Sequence, residues 1–268
     1  MKDYPSGKTA FYTFNAAGAP KALILLVHGL GEHVGRYESW AARFNERGVT
    51  LHAFDLPGHG YSEGRRGVIP SPEKVYDTID VISRSLATEF PGAPLFLYGH
   101  SLGGGIVLNY LVRRKPAVKG AIITSPWVTL SVTPGGAKAL IAAIAKKLVP
   151  GITQPSGLMT EYLSRDPEVV KAYRSDPLVH DRISAGIYGW MTDAASETLS
   201  RAGEICVPVL LAHGRDDQIT SPSGSVQVAE AAPHATLKLW EGGYHELHND
   251  LLKEDHFEFI TEWIDTLI

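Results

Sequence analysis

The chain has 268 residues, 44% of them hydrophobic and 20% charged, with a net charge of -4. That length holds one large α/β domain or two small ones, and the charge gives no electrostatic case for binding nucleic acid or an anionic membrane. A single cysteine excludes an intrachain disulfide and a thiolate metal cluster.

Asp3 and Pro5 stand where a secretory signal needs its apolar segment, and no stretch approaches the length of a membrane span. A cytoplasmic chain is expected, with a peripheral membrane location left open. In chain order, Phe11 to Asn15 reads as an edge strand. Ala22 to Val27 is continuously apolar, as a strand covered on both faces must be. It runs into the loop His28-Gly29-Leu30-Gly31-Glu32-His33. Tyr37 to Arg47 then places Trp40, Ala41 and Phe44 at helical spacing, with Gly48 as the stop.

A strand over Val49 to Phe54 leads to Asp55-Leu56-Pro57-Gly58-His59-Gly60-Tyr61-Ser62-Glu63-Gly64. The next helix starts at Ser71-Pro72, buries Val75, Ile79, Ile82, Leu86 and Phe90, and ends at Pro91-Gly92. Leu95 to Tyr98 is a strand, Gly99-His100-Ser101-Leu102-Gly103 a tight turn, and Gly104 to Leu108 the start of a helix. Gly120 to Thr124 is a further buried strand. Strands alternating with helices imply a mostly parallel sheet with helices on both faces.

From 126 to 201 the alternation breaks, and no convincing strand is visible. Ala137 to Val149 is helix-like, with Leu140, Ile141, Ile144 and Leu148 apolar and Lys138, Lys146 and Lys147 charged. It reads either as an ordinary buried helix or as part of a helical cap whose apolar side meets an acyl chain or, transiently, a membrane surface. The α/β pattern resumes at Val209 to Ala212 and at Thr236 to Trp240. A terminal helix carrying Phe259, Ile260, Trp263, Ile264 and Leu267 follows. Cys206, beside the run Val207 to Ala212, reads as a buried, inert core residue.

The turn at Ser101 has the form of a nucleophile elbow, in which a serine is exposed on a sharp strand-to-helix turn near backbone N–H groups. G-x-S-x-G occurs by chance roughly 0.1 to 0.2 times in a chain this long. A second match, Gly60-Tyr61-Ser62-Glu63-Gly64, lies in a loop without the strand and helix, so context selects Ser101. A serine nucleophile needs a base and an acid on loops at the C-terminal ends of strands. His245, after Thr236 to Trp240 and two glycines, is the base; Asp216 or Asp217, after Val209 to Ala212, is the acid, and spacing alone does not choose between them. The N–H groups of Leu102 and Leu30 are the expected oxyanion donors.

The motifs His28 to Tyr37, Gly58 to Gly64, Gly99 to Gly104 and Tyr244 to Asn249, together with Asp176-Pro177-Leu178, resemble the monoacylglycerol lipases of the α/β-hydrolase fold. The resemblance implies a mostly parallel eight-stranded sheet formed by 1–125 and 202–268, with 126–201 as a helical cap over an apolar acyl tunnel. It implies a serine hydrolase that cleaves glycerol esters of one fatty acid without metal or cofactor, and it places the acid at Asp217. Glu32, Arg36, His248 and Tyr173 match positions around the polar glycerol pocket. For Glu32 and Arg36 a loop-fixing ion pair is the competing reading. A lysophospholipase, a general carboxylesterase or an acyltransferase would share the same residues. Haloalkane and epoxide chemistry on this fold would need aspartate at position 101.

Overall fold

A computed structural model describes residues 1–132 and 144–268. Seven strands form the main sheet in the order β11-β10-β7-β6-β4-β5-β3. Here β3 is Phe11–Phe14, β4 Ala22–Val27, β5 Val49–Phe54, β6 Leu95–His100, β7 Gly120–Thr124, β10 Val209–Gly214 and β11 Ala235–Trp240. All neighbours run parallel except β3, the outer strand, which pairs antiparallel with β5. Eight strands are expected from the resemblance. Among the described residues the two N-terminal strands, β1 (Lys2–Tyr4) and β2 (Gly7–Thr9), pair only with each other as a separate hairpin.

The apolar runs work as two-sided strands. Leu23, Leu25 and Val27 of β4 enter one core with Leu97 and Ile123, while Ala22, Ile24 and Leu26 enter the opposite core with Phe96 and Ile122. Helices α1 (Glu38–Glu46) and α7 (Lys253–Asp265) cover the second face through Trp40, Phe44, Phe257, Ile260 and Ile264. Helices α2 (Pro72–Glu89), α3 (Leu102–Arg114), α5 (Ala185–Arg201) and α6 (Pro222–Ala231) cover the first through residues such as Ile79, Ile106, Ile187, Met191 and Val228.

Between β7 and β10 lie α4 (Pro167–Ser175), a helical stretch over 144–148, and two three-residue strands, β8 (Thr153–Pro155) and β9 (Arg182–Ser184), paired antiparallel. Such short strands leave no periodic signal, which is why the sequence shows none. Of the helix expected over Ala137 to Val149, residues 137–143 lie outside the described residues. Helix α5 packs against α3, and Asn109 Nδ2 of α3 donates to Ala194 O of α5 at 3.1 Å. The insertion is tied to the loop after β4 by His180 N donating to Gly31 O (2.9 Å) and by the His33 Nε2 to Asp176 Oδ2 contact (2.9 Å). No described helix is long and apolar enough to cross a membrane.

Cys206 departs from its sequence reading. It is exposed, its thiol near Glu204 O at 3.2 Å, because it lies in the turn between α5 and β10 where the neighbouring Ile205 takes the buried position.

Candidate active site

Ser101 connects β6 to α3 with φ 53° and ψ -117°, a left-handed conformation that a non-glycine residue adopts only when its surroundings impose it. Three backbone hydrogen bonds do so. Ser101 N donates to Thr124 O at 3.0 Å, and Ser101 O accepts from Gly105 N at 3.0 Å and Trp127 N at 2.8 Å. The flanking glycines are steric requirements. A Cβ on Gly99 would lie 2.6 Å from Gly103 O, and one on Gly103 would collide with Val27 O of β4. The G-x-S-x-G spacing thus permits a strand, a turn and a helix to cross at backbone contact distance.

Ser101 Oγ donates to His245 Nε2 at 2.9 Å, and His245 Nδ1 donates to Asp217 Oδ2 at 2.7 Å. The three side chains come from the ends of β6, β11 and β10, as loops at one edge of a parallel sheet dictate. Asp217 is buried, whereas Asp216 is exposed, so only the former reaches the imidazole. Burial disfavours the charged form of Asp217. The facing His245 and His213 overcome that penalty and hold the carboxyl well below the usual carboxylate range. Burial would likewise depress His245, yet the Asp217 charge and hydrogen bond raise its proton affinity above the ordinary histidine value. The result is a relay in which a hydroxyl proton has an acceptor and the resulting cation has a fixed counter-charge.

Two neighbours of Asp217 were not legible as partners from the sequence. His213 Nε2 lies 3.1 Å from Oδ2 and its Nδ1 lies 2.8 Å from Ser225 Oγ, while Thr220 Oγ1 donates to Oδ2 at 2.9 Å. Ile219 N (2.7 Å) and Thr220 N (3.0 Å) donate to the other oxygen, Oδ1. The only sequence signal was the run from His213 to Thr220 leaving a buried strand.

Leu102 is the first residue of α3, where N–H groups have no intrahelical acceptor. Leu30 N donates to no group among the described residues. The loop bearing Leu30 is fixed from both sides. Gly29 N donates to Glu32 Oε1 at 2.7 Å, His28 Nδ1 donates to Gly29 O at 2.8 Å, and His28 Nε2 accepts from Leu56 N at 2.9 Å.

Ser101, His245, Gly29 and Leu30 line a cavity of about 200 Å³ whose walls are largely apolar, with Trp127, Leu130, Leu158, Leu163, Ile183 and Tyr188 among them. Glu32 and Tyr173 also reach this wall, whereas Arg36 and His248 do not. Arg36 is held behind it, with Nη1 donating to Glu32 Oε2 at 2.8 Å and both terminal nitrogens donating to Glu246 at 2.7 Å. His248 packs between the Tyr37 ring (centroids 4.7 Å apart, 15° between planes) and the His100 ring (4.9 Å). Burial there pushes its imidazole down to about 4. The second G-x-S-x-G serine is placed quite differently. Ser62 is buried, donates to Asp55 O at 2.6 Å and accepts from Ala10 N at 2.9 Å.

Residues 18–251 match the family model Hydrolase_4, described as serine aminopeptidase, S33. The chain is 33% identical to a monoacylglycerol lipase of Mycolicibacterium smegmatis, covering 91% of this chain and 88% of that protein. It is 39% identical over 91% of its length to an uncharacterized abhydrolase domain-containing protein of Dictyostelium discoideum, of which it spans only 26%. The crystal structure of a Paleococcus ferrophilus monoacylglycerol lipase superposes with a TM-score of 0.90 at 35% identity, covering 97% of this chain and all of that one.

Proposed function

The chain belongs to the Hydrolase_4 family, serine aminopeptidase S33, on the α/β-hydrolase fold, and from that premise we propose that it hydrolyses monoacylglycerols to a free fatty acid and glycerol. It is a serine hydrolase, and the observation that carries the substrate reading is a hydrogen-bonded Ser101, His245 and Asp217 at the wall of a largely apolar cavity, in a chain that matches two monoacylglycerol lipases of similar length at 33% and 35% identity.

In this reading the acyl chain lies along the apolar wall and the ester carbonyl meets Ser101. Its Oγ attacks the carbonyl carbon as the hydroxyl proton passes to His245 Nε2. The backbone N–H groups of Leu30 and Leu102 receive the developing oxyanion, and Asp217 holds the imidazolium. His245 then returns the proton to the departing glycerol oxygen, leaving an acyl-enzyme at Ser101. Water, deprotonated by His245, releases the fatty acid and regenerates the serine. Glu32 and Tyr173 meet the glycerol directly, while Arg36 and His248 act from behind them. The cap is the segment 126–201, and its last helix, α5, packs against α3 of the core. Leu148, Val149 and Ile152, exposed on that cap, are the points of transient membrane contact in this reading.

The test is hydrolysis of 1- and 2-monoacylglycerols of graded chain length beside a matched lysophospholipid and a triacylglycerol. Turnover of monoacylglycerol that disappears in Ser101→Ala is expected. Equal or better cleavage of the lysophospholipid would keep the serine chemistry and overturn the glycerol reading.

A further inference from the structure

Glu246 directly follows the candidate base, and nothing in the chemistry above uses it. Its side chain is 2% exposed, and the residue lines the same cavity as Ser101. Burial works against its ionisation, but the Arg36 guanidinium, bound through two parallel hydrogen bonds, holds the carboxyl at about 2. Glu32, at 3% exposure, takes the third Arg36 contact and also lines the cavity. Two carboxylates therefore stand around one guanidinium. That guanidinium does not reach the cavity, and its central carbon lies 4.7 Å from the centre of the Tyr173 ring. Among the described residues the cavity wall holds these two carboxylates and no lysine or arginine.

From this arrangement we infer that Glu246 sets the charge preference of the site, pairing with Arg36 so that the polar end stays net negative and an ester bearing an anionic phosphate on its alcohol portion is rejected. The inference rests on the monoacylglycerol reading and narrows it to alcohol portions that are neutral or cationic. Neutral hydroxyl groups can donate to the carboxylate oxygens of Glu32 and Glu246, whereas a phosphate brings only acceptors and like charge. A single net charge close by, at the screening typical of protein sites, changes binding about a hundredfold.

Octanoyl esters of glycerol, of glycerol phosphate and of choline, kept below micelle-forming concentration, provide the test. In the wild type the phosphate-bearing ester is expected to show kcat/KM at least tenfold below the glycerol ester, mainly through KM, while the choline ester is not penalised. Glu246→Gln keeps the shape and removes one charge. It should raise the ratio of phosphate ester to glycerol ester by about ten- to a hundredfold. Combining it with Arg36→Met restores a single net negative charge and should return the ratio toward the wild-type value. A part that was only structural would instead lower all three esters in parallel, more in the double variant than in the single, and that pattern overturns the inference. Should Glu246→Gln fail to fold, wild-type turnover of the phosphate ester equal to that of the glycerol ester still overturns it. Loss of every ester activity in the wild type, or its persistence in Ser101→Ala, would count against the hydrolase reading and not against the charge preference alone.

Discussion

Two five-residue segments of this chain share the pattern G-x-S-x-G and have opposite fates. Ser101 sits at a left-handed turn between a buried strand and a helix, and its hydroxyl donates to His245 Nε2 at 2.9 Å. Ser62 sits in a loop with its hydroxyl engaged by backbone on both sides, donating to Asp55 O and accepting from Ala10 N. One serine is strained and connected to a base. The other holds two stretches of chain together. The pattern supplies small residues around a hydroxyl, while the flanking elements decide whether that hydroxyl meets a reactant or a carbonyl.

The largest expected consequence of that contrast is on activity. Ser101→Ala should lower kcat for monoacylglycerol hydrolysis by about 10⁴-fold or more, with thermal stability close to wild type, measured by fatty-acid release and calorimetry. Asp217→Asn should come next, at about 10³- to 10⁴-fold in kcat, because the amide cannot stabilise the imidazolium or fix its tautomer. A loss of less than tenfold relative to wild type would separate Asp217 from the relay.

The pH profile sharpens the same contrast at smaller amplitude. His245 must be neutral to accept a proton, and its proton affinity is raised above the ordinary histidine value of 6.5. The logarithm of kcat/KM should therefore fall by about one per pH unit below a midpoint above 6.5. Asp217, held far below its ordinary value of 3.8, stays charged through that range, so the loss should reverse on return to neutral pH. A midpoint below 6.5 would contradict the His245 to Asp217 pairing. The smallest effect belongs to the second serine. Ser62→Ala should leave kcat within about twofold of wild type and cost about 1 to 3 kcal/mol of stability, since the buried Ala10 N–H loses its acceptor. Denaturant unfolding beside the activity assay measures both.

Much of the frame was legible because it rests on runs of sequence. The apolar stretches at 22–27 and 120–124, short and bounded by turn residues, read as strands covered on two faces, and Ser101 follows its strand directly while His245 lies on the loop after another. What escaped the sequence depends on how short segments turn and on contacts between distant residues. His213 and Thr220 meet Asp217 only once β10 and its loop have folded back. Glu246 meets Arg36 across 210 positions of chain, and nothing local distinguishes it from a solvated glutamate. The pair β8 and β9 is too short for periodicity, and Cys206 turns outward because Ile205 takes the inner position beside it. Of the competing readings of Glu32 and Arg36, the structure shows the ion pair. They form an ion pair that fixes the loop, and Glu32 also faces the cavity.

The most direct test of this contrast is covalent labelling with a fluorophosphonate, followed by peptide mass spectrometry to locate the adduct. One adduct on the peptide carrying Ser101, with none on Ser62 and none on the Ser101→Ala protein, is the expected result. An adduct on Ser62, or labelling that persists in Ser101→Ala, would contradict the account.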